Sequence, residues 1–272
     1  MAGDGNKFLS TFALISRIPA GRDLQPDFTW VGFYLPIVGL IASALCLGIY
    51  ALLIPWLQEP FFILFVIIVV QYLLFNLFHF DGLLDTADAL AVHAEKERRL
   101  TILKDVAVGA FGLFFGVLYL ALKLYVFYRV MVFLHIFSLP TGGAAAVALL
   151  FFSYPLSGRI AAALVPLSLS PAKKDGLGAL LTGYTPAKVA AGAVLSIGVV
   201  VLPLVLFIHE LEGTPGPLFA LVFCGGIAAF IGTTLLYNKK IGGYTGDTLG
   251  FAVEIGELLH MVIFYLVLVF AA

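Results

Sequence analysis

Three aspartates, Asp81, Asp85 and Asp88, lie within a short and otherwise apolar stretch of the sequence. On an α-helix, at about 100° per residue, all three side chains project within a sector of about 60°. Like charges on one face repel one another unless protons, basic groups or cations accompany them. Carboxylate oxygens are hard ligands that suit Mg²⁺ or Ca²⁺. Residues 79–90 are therefore predicted to form a cation site, provided that they are helical.

A second acidic group follows a glycine-rich run near the end of the sequence. Asp247, Glu254 and Glu257 are spaced so that one edge of a helix carries all three. At the helical rise, the two glutamates would lie about 8–12 Å inside a membrane span. Carboxylates are rarely found at that depth without a function. Backbone N–H groups of the glycine run could hold a substrate phosphate at a helix N-terminus, with Gly243, Thr245 and Gly246 as the candidates.

Together the two groups contain six carboxylates, whose charge requires several cations. A pair of Mg²⁺ ions bridged by substrate phosphates would balance them and polarise a phosphoryl group. The alternative is that some of these acids pair with Lys and Arg in a structural network. The predicted metal ligands are Asp81, Asp85, Asp88, Asp247, Glu254 and Glu257.

Basic residues inside apolar segments are the candidate partners of a phosphate. Arg159 lies about 14 Å from the nearer end of its predicted span, and a buried guanidinium binds phosphate well. Lys123 is a similar candidate, although it could equally be the partner of an acid. Asp105, which precedes a pair of glycines, is a candidate for the metal or substrate shell. His79 adjoins Asp81 and is predicted to be a general base or a substrate contact, with a polar helix cap as the alternative.

The composition indicates what must position these residues. The chain has 272 residues, of which 62% are hydrophobic and 11% are charged, and its mean hydropathy is +1.09. These values predict an all-α integral membrane protein with a single polytopic domain over residues 1–272. The net charge of −1 gives no reason to expect a nucleic-acid partner. A homo-oligomer is compatible with the sequence.

Long apolar runs predict a bundle of about seven membrane spans, each near the ~20 residues that a spanning helix needs. A short interfacial helix is expected over residues 8–18, and a charged helix over residues 91–107 is expected to lie above the site. The predicted spans are roughly residues 31–54, 61–78, 110–137, 145–168, 189–208, 217–237 and 249–271.

The loops predict the orientation of the bundle. Of the fifteen Lys and Arg residues, twelve lie in the N-terminal segment and in the second, fourth and sixth loops. The alternate loops and the C-terminus contain none. By the positive-inside rule, a multi-pass protein of the cell membrane is expected, with its N-terminus and active site in the cytoplasm and its C-terminus outside.

At these motifs the chain resembles a known family, the adenosylcobinamide-GDP ribazoletransferases, also called cobalamin synthases. The resemblance covers most of the chain, with its blocks in the expected order. Its most specific blocks are the first, at residues 79–88, and the last, at residues 246–250 with Glu254 and Glu257. The other matching blocks are Arg17 with Pro19, Lys104-Asp105 with Gly109 and Gly112, Gly158-Arg159, and residues 175–178.

The resemblance implies a Mg²⁺-dependent phosphoryl transfer late in cobalamin biosynthesis. α-Ribazole or its 5′-phosphate would attack adenosylcobinamide-GDP, and GMP would leave. The implied products are adenosylcobalamin or its 5′-phosphate. In this scheme the six acids hold metal, while Arg159, Lys104 and Lys123 hold phosphates. The base would be His79 or one of the acids.

Two other functions share part of this pattern. CDP-alcohol phosphotransferases also begin a motif with Asp-Gly, but the rest of that motif does not follow Asp81. A cation-coupled transporter would also carry acids and bases in its spans, but transporter sites tend to lie at the membrane midplane between repeats. Here the acids cluster at the predicted cytoplasmic ends, and no repeat is visible.

Overall fold

A computed structural model describes residues 4–21, 26–57, 59–136, 142–181, 183–206 and 224–271. The described part is helical and contains no strand. The helices are α1 (Asp4–Ile15), α2 (Val31–Leu57), α3 (Pro60–Gln71), a π-helical turn (Tyr72–Asn76), α4 (Leu77–Ala91), α5 (Lys96–Ile102), α6 (Ala110–Ile136), α7 (Gly142–Ser168), a 3₁₀ turn (Leu177–Leu180), α8 (Pro186–Leu206), α9 (Cys224–Lys240) and α10 (Gly246–Ala271).

Five helices are long and apolar enough to cross a membrane: α2, the continuous helix Pro60–Ala91, α6, α7 and α10. They correspond to five of the seven predicted spans, so an all-α membrane protein is confirmed. The fifth predicted span, residues 189–208, overlaps α8, whose apolar stretch is shorter, Pro186–Leu202. The remaining prediction overlaps α9, and its residues 217–223 lie outside the described part.

The second span is longer than predicted. The helix passes through the π-helical turn at Tyr72–Asn76, does not stop at residue 78 and continues as α4 to Ala91. Polar residues alone do not end a helix, and this segment contains no proline. All three aspartates of the first motif therefore lie on a helix, as their proposed role requires. His79 lies within this helix, which excludes the helix-cap interpretation.

The helix predicted over residues 91–107 is much shorter. Only Lys96–Ile102 is helical, and turns follow it as far as α6. The α1 helix begins at Asp4, earlier than the predicted 8–18, and ends at Ile15, before Pro19. Arg99 ties α5 to the end of α4, because its Nη1 donates to the carbonyls of Ala89 at 2.8 Å and Leu90 at 3.0 Å.

Glycines bring the helices of the two acidic motifs into contact. A Cβ added at Gly82 on α4 would lie 2.9 Å from the Cα of Asp247 on α10. A Cβ added at Gly256 would lie 2.8 Å from the Cα of Gly158 on α7. Only a residue without a side chain permits such approaches. The first contact brings Asp247 next to the aspartates of α4, and the second brings α7 against the glutamates of α10.

The segments predicted to share one side of the membrane meet at one end of the bundle. Lys104, in the second loop, forms an ion pair of 3.3 Å with Asp175 in the fourth. The backbone N–H of Tyr244, in the sixth loop, donates to the carbonyl of Ser170 at 3.1 Å. Lys188 Nζ donates to the carbonyl of Thr29, in the N-terminal segment, at 2.8 Å.

Candidate active site

Three carboxylates lie together at this end of the bundle, and we call Asp81, Asp85 and Asp247 the open acid cluster. Asp81 is exposed, and the other two are partly buried. Asp85 interacts electrostatically with both of the others. Within the described residues, none of the three forms an ion pair with Lys or Arg. Their negative charge is therefore available to a cation.

The donor set of this cluster suits Mg²⁺. No group of three or more His, Cys, Asp or Glu side chains in the described ranges is arranged as a ready metal site. Mg²⁺ commonly binds through one or two carboxylates and completes its coordination with water and substrate phosphates. Carboxylates close together and without a basic partner fit that mode of binding.

Asp88 has a different environment from the open acid cluster. It is 9% exposed, and its two oxygens accept backbone N–H groups from Gly109 at 2.7 Å and Gly112 at 2.8 Å. It therefore caps the N-terminus of α6 from a neighbouring helix, where a negative charge is favourable. Each oxygen of Asp88 accepts one of these hydrogen bonds, and we interpret the residue as a cap, while its metal role stays a prediction.

The two glutamates of α10 face the inside of the bundle. Glu254 and Glu257 pair with Lys123 of α6 and Arg159 of α7, and we call these four residues the ionic network. All four side chains are buried from solvent. Lys123 Nζ lies 2.6 Å from Glu257 and 3.3 Å from Glu254, and Arg159 Nη1 donates to Glu257. Two negative charges thus meet two positive charges.

Neutral polar groups add hydrogen bonds to Glu254 in this network. The hydroxyls of Tyr72 and Tyr119 donate to Glu254 at 2.7 and 2.6 Å, and Asn76 Nδ2 donates to the same carboxylate at 2.8 Å. Tyr72 and Asn76 are the first and last residues of the π-helical turn. Such turns often mark functional positions in helices. Here the turn brings both side chains to one carboxylate.

This arrangement favours the alternative stated for the glutamates, a structural network of paired charges. The buried acids contact Lys123 and Arg159 rather than the open acid cluster. We therefore interpret these two cations as partners of Glu254 and Glu257, and their role as phosphate ligands stays a prediction. The residue types and depth were anticipated, but the identity of their partners depends on how three helices pack.

A polar cleft of about 220 Å³ adjoins the open acid cluster. Its wall includes Thr245, Gly246 and Asp247 at the start of α10, together with Lys104 and Lys173. The Lys104 side chain is 58% exposed although it pairs with Asp175, so it is free to exchange this partner for an anion. The ammonium of Lys104 lowers the pKa of Asp175 through a hydrogen bond and its charge.

The N-terminus of α10 is built to present backbone donors. Thr245 N–H donates to Thr248 Oγ1 at 2.7 Å, and Thr248 N–H donates to Thr245 Oγ1 at 3.3 Å, so the two threonines cap the helix reciprocally. Gly243 has a φ of +155° and is packed against residues 170–172, so a side chain there would collide with Ala172. It shapes the loop but does not line the cleft.

Lys173 is a candidate that the sequence reasoning missed. It lines the cleft and interacts electrostatically with Asp247. Burial lowers the pKa of its ammonium group, and the nearby Asp247 acts against that shift. In the sequence, the signal for Lys173 is the pair Lys173-Lys174 immediately before Asp175-Gly176, which also contributes to the predicted orientation. Asp105 is exposed and interacts electrostatically with Asp85, but it does not line the cleft.

Two further basic residues, His79 and Arg17, lie near the open acid cluster. His79 is 4% exposed, and its Nε2 atom has no hydrogen-bond partner among the described residues. Arg17 and Asp81 line the same opening, of about 550 Å³, on the other side of α4. Arg17 is held there by its backbone N–H, which donates to the carbonyl of Leu74 at 2.8 Å.

Comparisons with known proteins agree on one family. The family model described as cobalamin-5-phosphate synthase matches residues 7–265. A Kosmotoga olearia protein is 29% identical over 94% of this chain and 97% of its own length. A Fervidobacterium nodosum protein is 30% identical over 94% and 95% of the two chains. A Clostridium botulinum (strain Okra) protein is 30% identical over 96% and 98%. All three are named adenosylcobinamide-GDP ribazoletransferase. No solved structure matches.

Proposed function

The chain belongs to the cobalamin-5-phosphate synthase family, and from this premise we propose that it is an adenosylcobinamide-GDP ribazoletransferase that needs Mg²⁺. A hydroxyl of α-ribazole, or of its 5′-phosphate, attacks the phosphorus on the adenosylcobinamide side of the diphosphate. A new oxygen–phosphorus bond forms, and the bridging phosphorus–oxygen bond breaks. GMP leaves, and the hydroxyl proton passes to a base.

The observation that carries this proposal is the adjacency of the open acid cluster and the polar cleft. Asp247 belongs to both, because it interacts with Asp85 and lines the cleft beside Lys173. A diphosphate needs cations, helix N-terminal N–H groups and metal-binding carboxylates close together. These groups meet at one end of the bundle. This supports phosphoryl transfer over ion transport, in which charged side chains would follow a path across the membrane.

The residues of the cleft have separate roles in this proposal. Backbone N–H groups at the start of α10, at Gly246 and Asp247, hold phosphate oxygens, with Thr245 shaping the turn. Lys104 and Lys173 offset the charge of the departing phosphate. A carboxylate of the open acid cluster accepts the hydroxyl proton. Asp105 lies at the rim and is assigned to the outer shell of the substrate.

Mg²⁺ would be held by Asp81, Asp85 and Asp247, and when bound it would supply a positive charge that stabilises the phosphates during transfer. The ionic network is assigned a supporting role beneath this site. It fixes α10 against α6 and α7, which determines where Asp247 lies.

We further propose that the site faces the cytoplasm. The segments that carry the excess of Lys and Arg meet at the end of the bundle that holds the cleft. The positive-inside rule assigns that end to the cytoplasm. Cysteine labelling of single-cysteine variants at Lys174 and Trp56 in intact cells would test this orientation.

The test of the function is the release of GMP by the purified, detergent-solubilised protein given adenosylcobinamide-GDP and α-ribazole. We expect release together with a cobalamin product in Mg²⁺, and none in EDTA. Asp81→Asn should lose activity, whereas Glu97→Gln, an exposed carboxylate on α5, should keep it. Release that is unaffected by EDTA would contradict the metal requirement. A folded protein that forms no product with any divalent metal would overturn the proposed reaction.

A further inference from the structure

An apolar cavity adjoins the polar cleft, deeper in the bundle. The cavity is open on one side, and the space that it encloses is about 50 Å³. Its wall is built from the end of α1, the start of α2, α4, α7, the loop after α7 and the start of α10. The residues that contribute most directly to the argument are Ala162, Leu177, Leu249, Val253, His79 and Tyr184.

Two side chains in this wall carry polar groups, and only one of them needs a partner. The Tyr184 hydroxyl donates to the carbonyl of Ala163 at 3.0 Å. His79 is 4% exposed, and its Nε2 atom is buried without a hydrogen bond among the described residues. A buried polar group in an apolar wall costs free energy until it is paired. The cavity therefore has the features of a site for an apolar group that carries one hydrogen-bonding atom.

The cavity and the cleft are joined. Leu177 and Gly246 line both of them. A ligand with an apolar part in the cavity would place an attached polar part among Thr245, Lys173 and Asp247. A nucleoside has this construction, since a flat base is joined to a sugar that bears the reacting hydroxyl.

We propose that the cavity binds the aromatic base of the acceptor nucleoside, and that His79 Nε2–H donates a hydrogen bond to the base. This inference rests on the proposed function, in which α-ribazole is the acceptor. The base of α-ribazole is a benzimidazole, which fuses a benzene ring to an imidazole. Once one nitrogen carries the sugar, a single acceptor nitrogen remains. One donor in an apolar wall matches that base.

The other base in the reaction fits this cavity poorly. Guanine carries a carbonyl, an amino group, a ring N–H and ring acceptors along its edges. The apolar wall would leave most of these groups unpaired, which is unfavourable. The guanosine of adenosylcobinamide-GDP is therefore expected to lie outside the cavity. His79 in this scheme positions the nucleophile and is not the base that removes its proton.

The test compares two nucleosides on two proteins by direct binding. Equilibrium dialysis measures the affinity of the solubilised protein for α-ribazole and for its analogue in which the acceptor nitrogen is replaced by C–H. The wild-type protein should bind the analogue about threefold to tenfold more weakly, the worth of one hydrogen bond. His79→Phe, which keeps an aromatic ring, should bind both nucleosides equally. The proposal would be overturned if the wild-type protein and His79→Phe showed the same ratio of affinities for α-ribazole and its analogue.

A second pair of variants covers the case in which His79→Phe does not fold. Leu177 lines the cavity and is 37% exposed, whereas Leu180 in the same 3₁₀ turn is 48% exposed and lies outside it. Leu177→Trp should weaken binding of α-ribazole, and Leu180→Trp should leave that affinity unchanged. Equal affinities in the two tryptophan variants would refute the site. GMP release measured in the same samples separates failure of this inference from failure of the proposed reaction.

Discussion

The ionic network and the open acid cluster are made of similar residues in opposite surroundings. In the network, Glu254 and Glu257 are fully buried and each contacts a cation. In the cluster, Asp81 is exposed, and Asp85 has carboxylates as its charged neighbours. Asp247 and Glu254 are separated by only two turns of one helix, about 10 Å. Within two turns of α10, the chain therefore carries one carboxylate whose charge is balanced by the protein, Glu254, and one whose charge can be balanced by a bound cation, Asp247.

This difference indicates how to distinguish acidic residues with a structural role from those with a role in the reaction. The charge of a buried carboxylate that is paired and hydrogen-bonded is already compensated by the protein. A carboxylate that is crowded by other carboxylates is unfavourable until a cation arrives. We therefore expect substitutions in the two regions to affect different measurements.

The largest effect is expected in the ionic network. Glu257→Gln leaves Lys123 and Arg159 buried with one carboxylate fewer, and breaking a buried pair in this way costs about 3–5 kcal/mol. Thermal unfolding in detergent should show a large decrease in the midpoint. The combination with Lys123→Met restores the charge balance and should recover part of the loss. If Glu257→Gln unfolded at the wild-type temperature, the supporting role would be wrong.

The open acid cluster should respond in the opposite way. Asp85→Asn removes one of several neighbouring negative charges, so the unfolding midpoint in EDTA should not decrease. GMP release should fall by about 100-fold or more, the usual cost of removing a group that takes part in chemistry. Activity and unfolding are measured on the same preparation. A variant that is unstable but active per folded molecule would place Asp85 with the network instead.

Asp88 lies between the two regions, and its interpretation as a cap can be tested through its partner. A Cβ at Gly112 would lie 2.9 Å from Asp88 Cγ, so Gly112→Ala should destabilise the protein by about 1–3 kcal/mol. Gly48→Ala on α2, where no atom lies within 4 Å, is the matched control and should not destabilise it. Unfolding midpoints give both values. If Gly112→Ala and Gly48→Ala unfolded at the same midpoint, the contact between Asp88 and Gly112 would not be tight.

The smallest effect is expected at the cleft, as a dependence on pH. Burial lowers the pKa of Lys173, so its positive charge is lost at a lower pH than that of an ordinary lysine. Affinity for adenosylcobinamide-GDP should therefore weaken as the pH rises through that value. Lys173→Met should raise the KM by roughly twofold to fivefold and flatten this dependence. Its neighbour serves as the control, since Lys174 is exposed and does not line the cleft.

The stability of the protein changes with pH in the opposite direction at Lys173. The neutral form of Lys173 is favoured in the folded state, so the unfolded chain binds more protons in this range. The contribution of Lys173 to folding therefore becomes more favourable as the pH rises from the folded pKa to the unfolded one. The expected loss of affinity at high pH is thus not a result of unfolding at this residue.

Local patterns in the sequence predicted a large part of the fold and of the site. The spacing of Asp81, Asp85 and Asp88 and the apolar runs depend on helix geometry, which acts over a few residues. The helix through the first motif and the all-α membrane fold are accordingly confirmed. The metal and substrate roles of the residues stay predictions.

Contacts between distant segments could not be predicted from local patterns in the sequence. The pairing of Glu257 with Lys123 and Arg159 joins residues more than 90 positions apart. The cap that Asp88 provides depends on where α6 begins, and the unpaired Nε2 of His79 depends on every helix around it. The predicted length of α5 was also wrong: the helix ends at Ile102, although Leu100, Ile102 and Leu103 pack against the core.

The ionic network has a consequence for the synthesis of the protein. Lys123 and Arg159 enter the membrane on α6 and α7, while their partners Glu254 and Glu257 lie on α10, which leaves the ribosome after both of those helices. Until that helix arrives, the nascent chain holds two uncompensated cations in the bilayer, each unfavourable by about 3 kcal/mol. Asp247 arrives on the same helix. Insertion of α10 therefore neutralises the two buried cations and completes the open acid cluster in one step. A chain truncated before α10 lacks both the ionic network and the complete cluster.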